Sequence, residues 1–162
     1  MVQFRTLFNL GIVAGTLALT ACGSAPMAAP SAAATPAAPS SSGIIAMMGN
    51  LSAAKEVPTN ASTGTGTVQA NFDKQTSTLN WTVTYSGLTG PVKAAHFHGP
   101  AMAGVNAGVA LGMSGSLESP MKGSAVLTAA QASDVLAGKW YVNLHTAANG
   151  GGEIRGQVEA VK

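Results

Sequence analysis

Leu79-Asn80-Trp81-Thr82-Val83-Thr84-Tyr85-Ser86 alternates a large apolar side chain with a small polar one at every step. Successive side chains of an extended backbone point to opposite faces, so this period of two places Leu79, Trp81, Val83 and Tyr85 on the buried face of a β-strand. Val68, Ala70 and Phe72 repeat the pattern upstream, and the polar run Asp73 to Ser77 between the two predicts a hairpin turn. Further strands are expected at 44–50, 92–98, 108–113, 124–127, 139–146 and 153–160, separated by segments rich in Gly, Pro, Asn and Ser. Such punctuation predicts an all-β, antiparallel sandwich or barrel. One short helix interrupts the strands. Thr128 and Gln131 have capping-box spacing, Ala132, Val135 and Leu136 form an apolar stripe, and Gly138 suits the left-handed residue after a helix.

The last two strands specify their own register. With Ala147 to Gly151 as a hairpin loop, His145 falls opposite Glu153, Asn143 opposite Arg155 and Tyr141 opposite Gln157. The same register gathers Trp140, Val142, Leu144, Ile154 and Val158 on the other, apolar face. A slip of one residue would mix the two sets, so both faces select this pairing. It predicts a carboxylate neighbour for His145.

Composition removes several classes of function. Only 9% of the 162 residues are charged and 5% are aromatic, too few charges for a coiled coil's flanking positions or a charge-driven disordered chain. The formal net charge is +2 and Lys and Arg form no stripe, which excludes the clustered cations that nucleic-acid binding needs. One cysteine excludes an intrachain disulfide framework and a cysteine-built zinc cage. The six acids show no spacing that singles out a general acid and base, no Gly-x-Ser-x-Gly elbow is present, and Gly64 and Gly66 lack the Lys-Ser or Lys-Thr of a phosphate loop. Glu56 reads as part of an exposed loop leaving a strand, and Arg155 is expected to pair with a neighbouring acid or carbonyl.

Residues 1–21 carry Arg5, an apolar run from Leu7 to Leu19, and small residues before Cys22. That is the layout of an export signal, and the run is short for a bilayer-spanning helix of about 20 residues; a stubby membrane anchor is the alternative. Leu19-Thr20-Ala21-Cys22 resembles the lipobox of bacterial lipoproteins, which implies cleavage before Cys22 and lipidation of its sulfur. Gly23 after the cysteine, in place of Asp, resembles the outer-membrane-sorted pattern. Residues 22–43 hold four of the eight prolines, many Ala and Ser, and no charge, and read as a tether with a reach on the order of 60 Å. The folded unit is therefore expected at 44–162, on a lipid-anchored protein of the bacterial envelope, facing periplasm or cell surface.

The chain has three histidines: His96, His98 and His145. Extended backbone sends His96 and His98 to one face and Phe97 to the other, with their Cα atoms about 6.6 Å apart, close enough for both imidazoles to reach one ion. His145, from another strand, would complete a three-imidazole set, and Glu153 would serve as a further ligand or as the acceptor fixing the His145 tautomer. Copper is the expected ion and zinc the second, because imidazole suits both and Met102 in the adjoining loop offers a soft ligand. A blue-copper centre is disfavoured, since lipidation would consume Cys22. The alternative is that the three histidines are structural and hydrogen-bond without any ion, with Met102 a gap-filling loop residue.

Taken together, several segments resemble one family. They are Leu51 to Pro58, Gly66 to Phe72, Leu79-Asn80-Trp81, Ser86-Gly87-Leu88, Ala95-His96-Phe97-His98-Gly99-Pro100, and Tyr141 to Thr146 with Gly152 to Gln157. This set is similar to the CHRD domain, named for chordin and also found in exported bacterial proteins, over roughly Leu51 to Val158. The resemblance implies an immunoglobulin-like or superoxide-dismutase-like β-sandwich and, in the animal proteins, extracellular regulation of ligands. The His-x-His strand is similar to that of copper-zinc superoxide dismutases, but three histidines cannot build their two-metal centre, and dismutase activity is not expected. The function expected is a non-enzymatic envelope binding module with a copper or zinc site and an envelope protein as partner. A metal-free structural or interaction module is the alternative, and a copper redox enzyme is the third reading.

Overall fold

The computed structural model describes residues 43–162. The expected signal, Cys22 and the tether lie outside the described residues. Among the described residues no helix is long and apolar enough to cross a membrane.

The alternating segment Leu79 to Ser86 lies within β3 (Thr78–Ser86), which pairs with β2 (Thr65–Asp73) in the hairpin its pattern predicts. Val68 lies opposite Val83, Ala70 opposite Trp81 and Phe72 opposite Leu79, and all six are buried. The turn is closed by the Asp73 carboxylate, which accepts from the backbone N–H of Gln75 at 2.8 Å, and Ser77 takes a positive φ of 54°. The other strands are β1 (Ile44–Ser52), β4 (Val92–His98), β5 (Val109–Gly112), β6 (Met121–Val126), β7 (Trp140–Thr146) and β8 (Ile154–Ala160). A 3-10 turn over Ala53–Lys55 follows β1.

All eight strands join one antiparallel sheet in the order β5-β4-β7-β8-β1-β2-β3-β6. The sheet curls over a shared core, because β3 and β4, far apart in that order, meet through Trp81 and Phe97. Their rings stand edge to face with centroids 5.2 Å apart. Trp140 packs against Phe97 as well, at 5.7 Å. Such aromatic contacts contribute roughly 0.5–1.5 kcal/mol each beyond the burial of their surface. The all-β expectation therefore holds, with the sandwich formed by folding one continuous sheet.

The reading of β6 as 124–127 is corrected to 121–126. Lys122 and Gly123 hide the strand in the sequence because neither is a large apolar residue, yet Gly123 pairs with Trp81 and the indole occupies the space a Cβ would need. The helix, α1 (Ala129–Leu136), has both hydrogen bonds of its capping box and Gly138 follows it at φ +69°. An eight-residue helix is marginal alone, so its stability comes from burying Val135 against the core and from Gln131, whose side-chain amide donates to the Ala110 carbonyl at 2.9 Å.

Two strands position the histidines. In β4, Ala95 and Phe97 are buried in the core, which turns His96 and His98 to the outer face. In β7, Trp140, Val142 and Leu144 point inward and Tyr141, His145 and Asn143 outward. Register places His96 beside Asn143, His98 beside Tyr141 and Ala94 beside His145. The β7–β8 pairing runs as the sequence specifies from Trp140–Val158 to Leu144–Ile154 and stops there.

Candidate metal centre

On this outer face the three imidazoles converge. One nitrogen from each of His96, His98 and His145 lies within 4.8 Å of the other two, and all three side chains are half-buried. Nδ1 of His96 is 3.2 Å from Nε2 of His145. Two nitrogens bound to one tetrahedral ion at about 2.0 Å stand about 3.3 Å apart, so that separation suits a shared ion as well as a hydrogen bond. The ring centroids are 5.1 Å apart for His96 and His145, 5.5 Å for His96 and His98, and 6.3 Å for His98 and His145.

Backbone carbonyls set two of the tautomers. Nδ1 of His98 lies 3.0 Å from the Ala107 carbonyl and Nδ1 of His145 lies 3.0 Å from the Gly150 carbonyl. A carbonyl accepts only, so each Nδ1 carries a proton, and in the neutral ring each Nε2 presents its lone pair. Nε2 of His98 is buried and has no hydrogen-bond partner within the chain. An acceptor buried in that way costs about 1–3 kcal/mol unless something fills it. Burial lowers the pKa of His96, and the neighbouring His145 and His98 lower it further. Burial lowers that of His145 too, the Gly150 hydrogen bond opposes it, and His98 adds to the lowering. Neutral imidazole is the form that ligates.

Behind His98 stands a stack that sequence reasoning missed. The His98 ring lies nearly parallel to the Tyr141 ring at 5.0 Å, and the Arg155 guanidinium lies over Tyr141 at 3.4 Å. Arg155 also donates to the Val105 carbonyl at 2.6 Å and to Asn106 Oδ1 at 2.8 Å, while Tyr141 Oη meets both the N–H and the carbonyl of Ala107. The expected pairing of Arg155 with a carbonyl is thus present, and the loop between β4 and β5 is tied down at the carbonyl that orients His98. The register of β7 on β8 carried the signal: with Tyr141 opposite Gln157, Arg155 is the diagonal neighbour on the same face.

Glu153 is a correction. Its carboxylate does not reach His145. It accepts from Ser62 Oγ at 2.6 Å, from Thr89 N–H and Oγ1 at 2.7 Å each, and from Thr146 Oγ1. Gly152, at φ +133°, ends the strand pairing, and the Glu153 N–H bonds the Leu144 carbonyl, so the carboxylate turns toward Thr146 on the face opposite His145. Burial pushes the Glu153 pKa up, but the hydrogen bonds from Ser62, Thr146 and Thr89 outweigh it and hold the group at about 2. The Gly150 carbonyl takes the acceptor role expected of Glu153.

Glu56 is a second correction, since it is 5% exposed rather than on an open loop. Burial raises its pKa against the opposing charge of Arg155, and its Oε1 accepts weakly from Asn143 Nδ2 at 3.4 Å. Met102 stands 63% exposed in the loop after β4. Cys22 lies outside the described residues.

Fold and site together define an all-β module with a three-imidazole cluster on one outer face. The chain belongs to the CHRD domain family, which matches residues 48–158. Neither the curated proteins nor the solved structures contain a match to the chain.

Proposed function

We propose that this CHRD domain is a non-enzymatic binding module that takes one copper or zinc ion, copper first, through His96, His98 and His145. The convergence of three ligand nitrogens within 4.8 Å carries the reading. Support comes from the Nδ1 protons of His98 and His145 being committed to carbonyls, which leaves Nε2 as the donor atom on each. The donor set of three neutral imidazoles suits Cu and Zn alike. Calorimetric titration of the full chain with Cu(II) and Zn(II), after dialysis against chelator, tests it. One ion per chain is expected, with binding lost in His96→Ala and His145→Ala. A folded wild type that binds neither ion tightly would remove the metal from the reading.

A metal-free interaction module is the second reading, favoured by the 3.2 Å approach of His96 Nδ1 to His145 Nε2, which is a satisfactory hydrogen bond by itself. Under that reading His145→Ala lowers the melting temperature equally with and without chelator.

We further propose that the domain is displayed on the bacterial envelope by lipid on Cys22, and acts there with an envelope protein partner. The Leu19-Thr20-Ala21-Cys22 run and the uncharged Pro-Ala-Ser segment after it support this. Metabolic labelling with a fatty-acid probe should mark the wild type and not Cys22→Ser.

A further inference from the structure

We propose that the ion held by His96, His98 and His145 keeps one coordination position for a small anionic Lewis base from solution. The inference rests on the three-imidazole reading and adds a ligand to it. Among the histidines, cysteines and carboxylates of the described residues, the converging donors are these three imidazoles. Ions that serve structure alone are closed by four protein ligands, whereas three protein ligands leave a position that an outside molecule can take.

The nearby carboxylates and the thioether are engaged or turned elsewhere. Asn143 Oδ1, buried beside His96 without a hydrogen-bond partner among the described residues, is a neutral oxygen that an anion has to outcompete for the position. Glu153 is held by Ser62, Thr89 and Thr146 on the other face of the β7–β8 end. Glu56 Oε1 faces Asn143. The Met102 side chain is largely exposed.

Charge and access select the class of ligand. Three neutral imidazoles leave the full charge of a divalent ion uncompensated, and the charged group in the stack behind His98 is the Arg155 cation rather than a carboxylate. An anion therefore gains more than a neutral base. The half-burial of all three histidines leaves a solvent-facing side by which a small ligand can approach.

Cobalt(II)-loaded full-length protein titrated with azide tests this, because cobalt reports its coordination through visible absorption bands. A saturable band change at one azide per bound cobalt is expected, and Met102→Leu should give the same spectrum before azide and the same titration after it. Cobalt that binds and is lost in His96→Ala, but whose spectrum azide leaves unchanged, would show a closed sphere and overturn the open position while sparing the three-histidine site. A Met102→Leu spectrum that differs before azide is added would place sulfur in the fourth position, and would likewise overturn the open position. Absence of stoichiometric cobalt, copper and zinc binding alike would overturn both proposals.

Discussion

The imidazole of His98 lies 7° from parallel with the phenol ring of Tyr141, their centroids 5.0 Å apart. Tyr141 is 3% exposed and its hydroxyl is engaged with Ala107, the residue whose carbonyl also orients His98. One side chain therefore fixes the ring both by its face and through the loop. Tyr141→Leu removes both supports and should weaken copper or zinc binding roughly 10–100-fold, the usual range for a partner that orients a ligand. Tyr141→Phe keeps the stack and should lose less. Competition titration against a chromophoric chelator separates the two, and equal affinity in wild type and Tyr141→Leu would deny the stack a positioning role.

Metal should stabilise the fold. At a free ion concentration 100 times the dissociation constant, binding to the native state alone adds about 2.7 kcal/mol. For a domain of this size that corresponds to a rise in melting temperature on the order of 10 °C. Chelator should reverse the rise in wild type and change nothing in His98→Ala. The comparison is made by calorimetry on both proteins, with and without ion.

Acid should weaken the fold through Glu153. Its pKa is about 2 in the native state against an ordinary 4.5, so the unfolded chain takes up the proton more readily. The stabilisation is complete above the unfolded value and is lost progressively as pH falls from about 4.5 through about 2. Glu153→Gln should flatten the dependence of denaturation midpoint on pH over that window. A slope unchanged by the substitution would assign the acid sensitivity to other groups.

Gly123 should tolerate no side chain. A Cβ there would run into the Trp81 indole, which sits edge to face on Phe97 and closes the curled sheet. Gly123→Ala should cost about 1–3 kcal/mol by overpacking, and Trp81→Ala about 3–5 kcal/mol by leaving a cavity. Urea denaturation measures both. If the glycine serves chiefly to admit the indole, the two costs will not add in the double variant.

Much of the fold was legible because local pattern and tertiary burial agree. Strict alternation at Leu79, Trp81 and Val83 marks β3, the Thr128–Gln131 spacing marks the helix cap, and the two-faced chemistry of β7 and β8 fixes their register from Trp140–Val158 to Leu144–Ile154. Legibility failed where a residue's role depends on something distant in sequence. Gly123 looks like a strand breaker until Trp81 is placed beside it. Glu56 looks exposed until Asn143 and Arg155 come close to it. Glu153 looks like the partner of His145 until Gly152 turns the chain and the hydroxyl groups of Ser62, Thr89 and Thr146 collect on the carboxylate.

The sequence by itself determined which faces of the strands are apolar, and with them the outward direction of His96, His98 and His145, because side-chain alternation is a property of the extended backbone. It did not determine that these imidazoles meet. That depends on β7 pairing with β4 rather than with its chain neighbour β6, a long-range pairing that joins strands far apart in the chain. Nor did it determine which atoms the rings present: the Ala107 and Gly150 carbonyls decide that, and a backbone carbonyl has no signature in sequence.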